Sequence, residues 1–182
     1  MSGINYIKVP KNRIAVLIGK DGTVKSYIEE QSNTTLRINS KEGTVQIIID
    51  ESNESTISAW KVSEIIKAIG RGFSPEFAYK LFDDETYLEI IDLEEILGKN
   101  KSIPRVKARI IGENGKCRKF IEEMTDAHIS IYGDTVSIIG EFLPLKIAKS
   151  AVMKLIQGMS HVRVYKFLQQ NHAKIQEHKF SL

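Results

Sequence analysis

A chain of 182 residues with 42% hydrophobic and 27% charged side chains carries enough apolar material for folded cores, which excludes a disordered or low-complexity chain. The single cysteine, Cys117, excludes an internal disulfide framework, and the opening MSGINYIKVPKN has neither a basic n-region with an apolar core nor a spanning run, so a cytoplasmic protein with no membrane role is expected. A net charge of +3 and a pI of 8.8 lean mildly toward anionic partners.

In chain order, INYIKV alternates apolar residues and reads as a strand ended by Pro10. RIAVLI follows as a short helix broken at Gly19. After Gly22, TVKSYIEEQS predicts a second helix with Thr23 as a potential cap, an apolar stripe at Val24, Tyr27 and Ile28, and a stop at Ser32-Asn33. TTLRIN and TVQIIID alternate as strands around the turn SKEG, and Ser55 to Gly70 predicts a long amphipathic helix. PEFAYKLF is an appended helix. The same order then recurs: YLEIIDL as strand, VKARII and GKCRKFIEEMT as helices, HISIYGDTVSIIG as a hairpin, LPLKIAKSAVMKLIQ as the long helix, and a further helix after His161. The segment GKNKSIPR has no partner in the first half and reads as a loop. The acids of DDETYLEIIDLEEI read as a solvated face and linker.

The recurrence is an internal duplication. Gly19 to Gly112, Gly22 to Gly115, Ile28 to Ile121 and Ile38 to Ile131 are each displaced by 93 residues, and GFSPEFAYKLF answers GMSHVRVYKFL at a displacement of 86. Two units are expected, residues 1–82 and 83–182, each a strand, two helices, two strands and a helix. In both, glycines three residues apart separate the first two helices. Glycine allows a sharp turn and the close approach of another backbone, and the start of the following helix supplies unpaired amides and a positive dipole end. A phosphodiester is the ligand this geometry favours. The charge agrees with it: the segment from Pro104 to Ile121 carries net +5 and that from Pro10 to Ile28 net +3.

On these residues the chain resembles the type I KH fold, an α+β architecture, and the resemblance implies two tandem KH units whose GxxG loops clamp single-stranded RNA. RVKARIIGENGKCRKFIEEMTDAHISIYGDTVSIIG with AIGRGFSPEFAYKLFDDETYLEIIDL is further similar to the archaeal relatives of the small-subunit ribosome assembly factors of the Krr or Partner-of-Nob type. That resemblance implies binding near the 3′ end of small-subunit ribosomal RNA during maturation. It also implies two protein partners, the endonuclease that trims this end and the alpha subunit of translation initiation factor two. The chain departs from the pattern at Ala108-Arg109, where the family carries Gly-Arg, and at Cys117, where it carries threonine. It departs from ordinary KH modules at Lys25 and Arg118, which stand where an isoleucine is usual. The expected RNA-binding residues are Arg13, Gly19, Lys20, Asp21, Gly22 and Lys25 in the first unit. In the second they are Arg109, Gly112, Glu113, Asn114, Gly115, Lys116, Arg118 and Lys119, and this more basic loop is expected to be the stronger site.

Other readings of these residues are weaker. Trp60, Tyr27 and Phe120 lie in helical apolar stripes and are expected in the core, whereas Tyr6 and Tyr132, on a strand and a turn, are the better candidates to stack on bases. Cys117 begins a helix, where a thiol pKa can fall, yet no histidine neighbours it in sequence. His128, His161, His172 and His178 show no metal-ligand spacing and read as surface or hairpin residues. GENGKC lacks the four-residue spacing and the hydroxyl of a nucleotide phosphate loop. No catalytic set, metal or cofactor is expected. A KH adaptor for RNA decay or messenger control, or a protein-binding scaffold with a silent groove, stays open as an alternative.

Overall fold

The computed structural model describes residues 5–49, 59–98 and 102–180. The chain divides into two compact units, Met1–Asp84 and Glu85–Leu182. In the first, strand β1 (Asn5–Lys8) leads into helix α1 (Lys11–Ile18), a single 3-10 turn (Lys20–Gly22) and helix α2 (Thr23–Ser32). Strands β2 (Thr34–Asn39) and β3 (Thr44–Ile49), helix α3 (Ala59–Gly70) and a short helix α4 (Pro75–Ala78) follow, with a 3-10 turn over Tyr79–Phe82. The sheet order is β1-β3-β2, antiparallel throughout, and the register places Ile7 opposite Val45 and Leu36 opposite Ile47. Alternation then sends Ile7, Leu36, Val45 and Ile47 to one face, where they pack with Leu17, Ile28, Ile65, Ile66 and Ile69 into a closed core. Each such side chain fully removed from water contributes about 1.5–3 kcal/mol.

The second unit repeats the plan with β4 (Thr86–Asp92), α5 (Leu93–Leu97), α6 (Ile103–Ile111), a 3-10 turn (Glu113–Gly115), α7 (Lys116–Thr125), β5 (His128–Tyr132), β6 (Thr135–Glu141), α8 (Phe142–Ile156) and α9 (His161–Phe180). Its sheet order, β4-β6-β5, matches the first. Ile110, Ile121, Ile129, Val136, Ile138, Val152 and Leu155 form its core, against which Val164, Leu168 and Ile175 of α9 close. No described helix is long and apolar enough to cross a membrane.

Several expectations need correction. The segment GKNKSIPR is not all loop: α6 begins at Ile103, with Pro104 in the first turn, where a missing amide hydrogen costs nothing. Besides the expected strand β4, the acidic run holds a helix, α5, which Asp92 caps by accepting from the amides of Glu94 and Glu95 at 2.9 and 3.1 Å. Thr23 is the first helical residue of α2; the cap position belongs to left-handed Gly22. PEFAYKLF narrows from an α-helical to a 3-10 turn at Tyr79. Of the helix expected from Ser55, the part before Ala59 lies outside the described residues. Trp60 is 53% exposed on α3, not in the core, because Val62, Ile65, Ile66 and Ile69 already supply that helix's inward stripe. Tyr27 is also exposed; its ring rests on Tyr79 at 4.4 Å between centroids. Phe120, at the equivalent place in the second unit, rests on Tyr165 at the same 4.4 Å. An aromatic clasp between second helix and appended segment is thus duplicated with the fold.

Candidate nucleic-acid interface

Both glycine loops have one backbone geometry. Gly19 (φ 76°, ψ 173°) and Gly112 (φ 72°, ψ 174°) end their first helices, and the residues two places on, Asp21 and Asn114, adopt φ 53° and 51°. Gly22 and Gly115 follow at φ 79° and 77°. Asp and Asn are the non-glycine residues that best tolerate this left-handed region, which explains their presence inside the turns. The two glycines of each loop meet different surroundings. A Cβ on Gly19 would lie 2.5 Å from Val24 Cγ2, and one on Gly112 would lie 2.6 Å from Cys117 Cβ, so the first glycine is required by contact with the second helix. Nothing stands within 4 Å of a Cβ built on Gly22 or Gly115; these glycines face open space at the start of α2 and α7.

The expected site residues separate into two groups. Lys20, Asp21, Glu113, Asn114, Lys116 and Lys119 are exposed around the loops, with Lys25 and Arg118 half-buried in the first turn of the second helices. Lys25 lies 3.7 Å from Glu29 and Arg118 3.8 Å from Glu122; such surface pairs are worth about 0–1 kcal/mol and leave the cations available. Arg13 and Arg109 are elsewhere. Arg13 donates from Nε to the Ile69 carbonyl at 2.8 Å and from Nη2 to that of Phe73 at 2.6 Å. Arg109 donates from Nη2 to the Met159 carbonyl, and its own carbonyl accepts from His161 Nε2 at 2.8 Å. Phe73 and Met159 are equivalent under the displacement of 86, yet the arginines that reach them are not equivalent under 93. They lie one helical turn apart on matching helices, so two different positions fasten the first helix to the same carbonyl. Arg109→Ala is therefore expected to lower unfolding stability by about 1.5–3 kcal/mol, the worth of a charge-assisted hydrogen bond, while the salt dependence of RNA binding stays at the wild-type slope. Denaturant titration and binding isotherms at several salt concentrations check both halves.

The sequence reading missed Glu29 and Glu122, the first glutamate of each pair after the loop. Glu29 Oε1 accepts from the amide of Leu36 at 2.6 Å and Glu122 Oε1 from that of Ile129 at 2.7 Å, pinning the second helix to the strand beside it. Ser32 and Thr125 repeat this pattern by donating to the carbonyls of Ile28 and Ile121 at 2.6 and 2.7 Å. Their signal was the identical displacement of 93 residues. Lys107 joins α6 to the hairpin turn through the Gly133 carbonyl at 2.6 Å and Asp134 at 3.8 Å. His172 Nδ1 is hydrogen-bonded to the Met124 carbonyl at 2.9 Å, so two of the histidines read as surface residues fasten helix α9. Cys117 is buried beneath Gly112, and burial pushes its thiol pKa up, opposite to the lowering considered for a helix start. Among the described residues no group of three or more His, Cys, Asp or Glu is placed to hold a metal.

Two family models match the chain: one described as a KH domain over residues 4–71, and one described as a eukaryotic type KH-domain, KH-domain type I, over residues 87–173. A KH domain-containing protein of Methanocaldococcus jannaschii is 46% identical over 179 residues, covering 98% of this chain and 78% of that protein. RNA-binding protein pno1 of Dictyostelium discoideum is 26% identical over 176 residues, covering 96% of this chain and 74% of that protein. Among solved structures, the a/eIF2alpha-aDim2p-rRNA complex from Pyrococcus horikoshii OT3 contains a chain that superimposes with a TM-score of 0.88 at 44% identity, covering 96% of each. With two matched KH units, the duplicated GxxG turns and relatives that span nearly all of it, the chain belongs to the family of two-KH-domain RNA-binding proteins.

Proposed function

We propose that this protein is a non-catalytic factor of small ribosomal subunit maturation that grips single-stranded RNA near the 3′ end of small-subunit ribosomal RNA through both GxxG loops. The observation that carries it is the pair of open glycines, Gly22 and Gly115, each at the start of a helix with no atom where a side chain would be. A phosphodiester can approach there, at the positive end of the helix dipole. Lys20 and Lys25 in the first unit, and Lys116, Arg118 and Lys119 in the second, supply the cations around it; Arg13 and Arg109 hold the first helices from behind. Glu113 and Asp21 are exposed beside the loops. The choice of ribosomal RNA follows the Pyrococcus horikoshii complex, which contains rRNA, and its a/eIF2alpha supports the initiation-factor subunit as a partner here. The 3′-end endonuclease as a second partner, and a cytoplasmic location, complete the proposal.

The test is binding of the purified protein to a labelled strand copying the small-subunit ribosomal RNA 3′ end, beside a scrambled strand of equal length. Tighter binding of the matched strand is expected. Equal affinity would transfer the chain to an adaptor role without a ribosomal target. A second measurement reads the electrostatics: neutralising Lys116, Arg118 and Lys119 together should flatten the plot of log affinity against log salt by about 0.7 for each phosphate contact removed. An unchanged slope would place the phosphates elsewhere.

A further inference from the structure

We infer that the solvent-facing side of the first sheet is a second surface for single-stranded RNA, separate from the GxxG loops; this rests on the reading that the chain binds RNA. In β1 the inward residue is Ile7, in β2 Leu36, and in β3 Val45 and Ile47, all buried. Alternation therefore sends Tyr6 and Lys8, Arg37 and Asn39, and Gln46 to the opposite face, away from α1, α2 and the loop between them. The register aligns three of these on one rung: Tyr6 opposite Gln46, and Gln46 opposite Arg37. Neighbouring strands lie about 4.8 Å apart, so the rung spans roughly 10 Å from an aromatic ring to a guanidinium.

The chemistry of this face fits one occupant. Tyr6 is 67% exposed, a large ring on a regular strand that stacks on no other ring among the described residues. Lys8 and Arg37 are exposed and form no ion pair among the described residues, and no carboxylate occupies an outward position of the three strands. An aromatic platform flanked by unpaired cations, with amides at Gln46 and Asn39 to meet base edges, suits an unstacked base and its phosphates. At one end Lys8 also lines a cavity of about 340 Å³ with Lys11, Arg71 and Glu42, where three cations face one carboxylate. The track thus continues toward positive potential. The second unit lacks it: the corresponding rung is Ile90, Ser137 and Ser130, uncharged, with both serines buried. The platform is a property of the first unit and not of the fold.

The experiment compares two labelled strands copying the ribosomal RNA 3′ end, one of about eight nucleotides, the length two KH grooves hold, and one of about sixteen. The full chain is measured as wild type, as Tyr6→Ala/Arg37→Ala, as Tyr6→Phe, and as the loop variant Gly22→Asp/Gly115→Asp. The platform variant is expected to bind the longer strand about tenfold more weakly while keeping wild-type affinity for the shorter one. Tyr6→Phe is expected to match wild type, and adding Lys8→Ala to Arg37→Ala should flatten the salt slope for the longer strand by about 1.4. Tyr6, Lys8 and Arg37 are exposed, so the unfolding midpoints of the platform variants should not move. Wild-type affinity of the platform variant for both strands would overturn the inference, as would equal losses on both. Intact RNA binding with loss of an acidic protein partner would overturn it in favour of protein docking. Loss of both strands in the loop variant alone leaves the proposed function standing and this surface refuted.

Discussion

Gly112→Ala is expected to lower the unfolding free energy by about 3 kcal/mol, whereas Gly115→Ala, three residues away on the same turn, lowers it by about 1 kcal/mol. Both positions have φ near +75°, but Gly115 at ψ 9° lies in the left-handed region, where an L side chain costs about 1–2 kcal/mol, whereas Gly112 at ψ 174° lies in a region essentially reserved for glycine. Close contact adds to this difference. A Cβ at residue 112 would overlap the Cβ of Cys117 at 2.6 Å and its amide nitrogen at 2.8 Å, and both atoms belong to the first turn of α7. Cys117 is buried at 1% exposure, so it has no free direction in which to retreat. The overlap must be relieved by moving the start of the helix, a strain of about 1–3 kcal/mol. Gly19→Ala should behave alike, since Val24 Cγ2 lies at 2.5 Å and Val24 N at 2.7 Å. Against a total stability of about 5–15 kcal/mol such losses are easily read by denaturant titration followed by circular dichroism. Equal losses at 112 and 115 would show that neither the close approach nor the glycine-only ψ sets the first glycine apart.

Much of this was legible because the sequence states it twice. Periodicity placed the strands and helices of each unit, and the displacement of 93 residues aligned the loops, the helix residues Ile28 and Ile121, and the strand residues Ile38 and Ile131. What one copy left ambiguous the other resolved. The failures have physical causes. Trp60 shares a helical stripe with core residues by spacing, but one helix face cannot bury every apolar residue assigned to it, and the isoleucines win. Pro104 looked like a loop residue because proline breaks helices in their interiors, yet in the first turn it is tolerated. Arg13 and Arg109 looked like phosphate ligands because of their charge and their place near the glycines. Their guanidinium groups reach carbonyls 56 and 50 residues away, a partnership that no local pattern announces. Glu29 and Glu122 went unread because the amides they accept from lie seven residues on, across the turn from helix to strand.

Gly115→Asp is expected to weaken binding of the ribosomal RNA strand by about a hundredfold or more while leaving the fold in place, and Gly22→Asp to weaken it less. Aspartate is a suitable residue for the conformation required, since Asp21 already adopts φ 53° in the first loop and nothing lies within 4 Å of the new Cβ. The stability cost is thus confined to about 1 kcal/mol. The functional cost is electrostatic. A carboxylate at this point stands where the helix start and its cations favour an anion, and a like-charged phosphate about 4 Å away at an effective dielectric of 20 is repelled by roughly 4 kcal/mol before screening. Screening by salt and rotation of the side chain reduce this, and a hundredfold loss corresponds to about 2.7 kcal/mol. The two loops differ in what surrounds that charge. Lys116, Arg118 and Lys119 gather on the first turn of α7, whereas α2 offers only Lys25, with Lys20 in the loop before it. More of the phosphate affinity is therefore at stake in the second unit. Fluorescence anisotropy with the labelled strand, beside thermal unfolding of each variant, separates the two costs. Wild-type affinity in both variants would remove the open glycines from the RNA path, and a larger loss at Gly22 would show that groove shape, and not the local count of cations, ranks the two units.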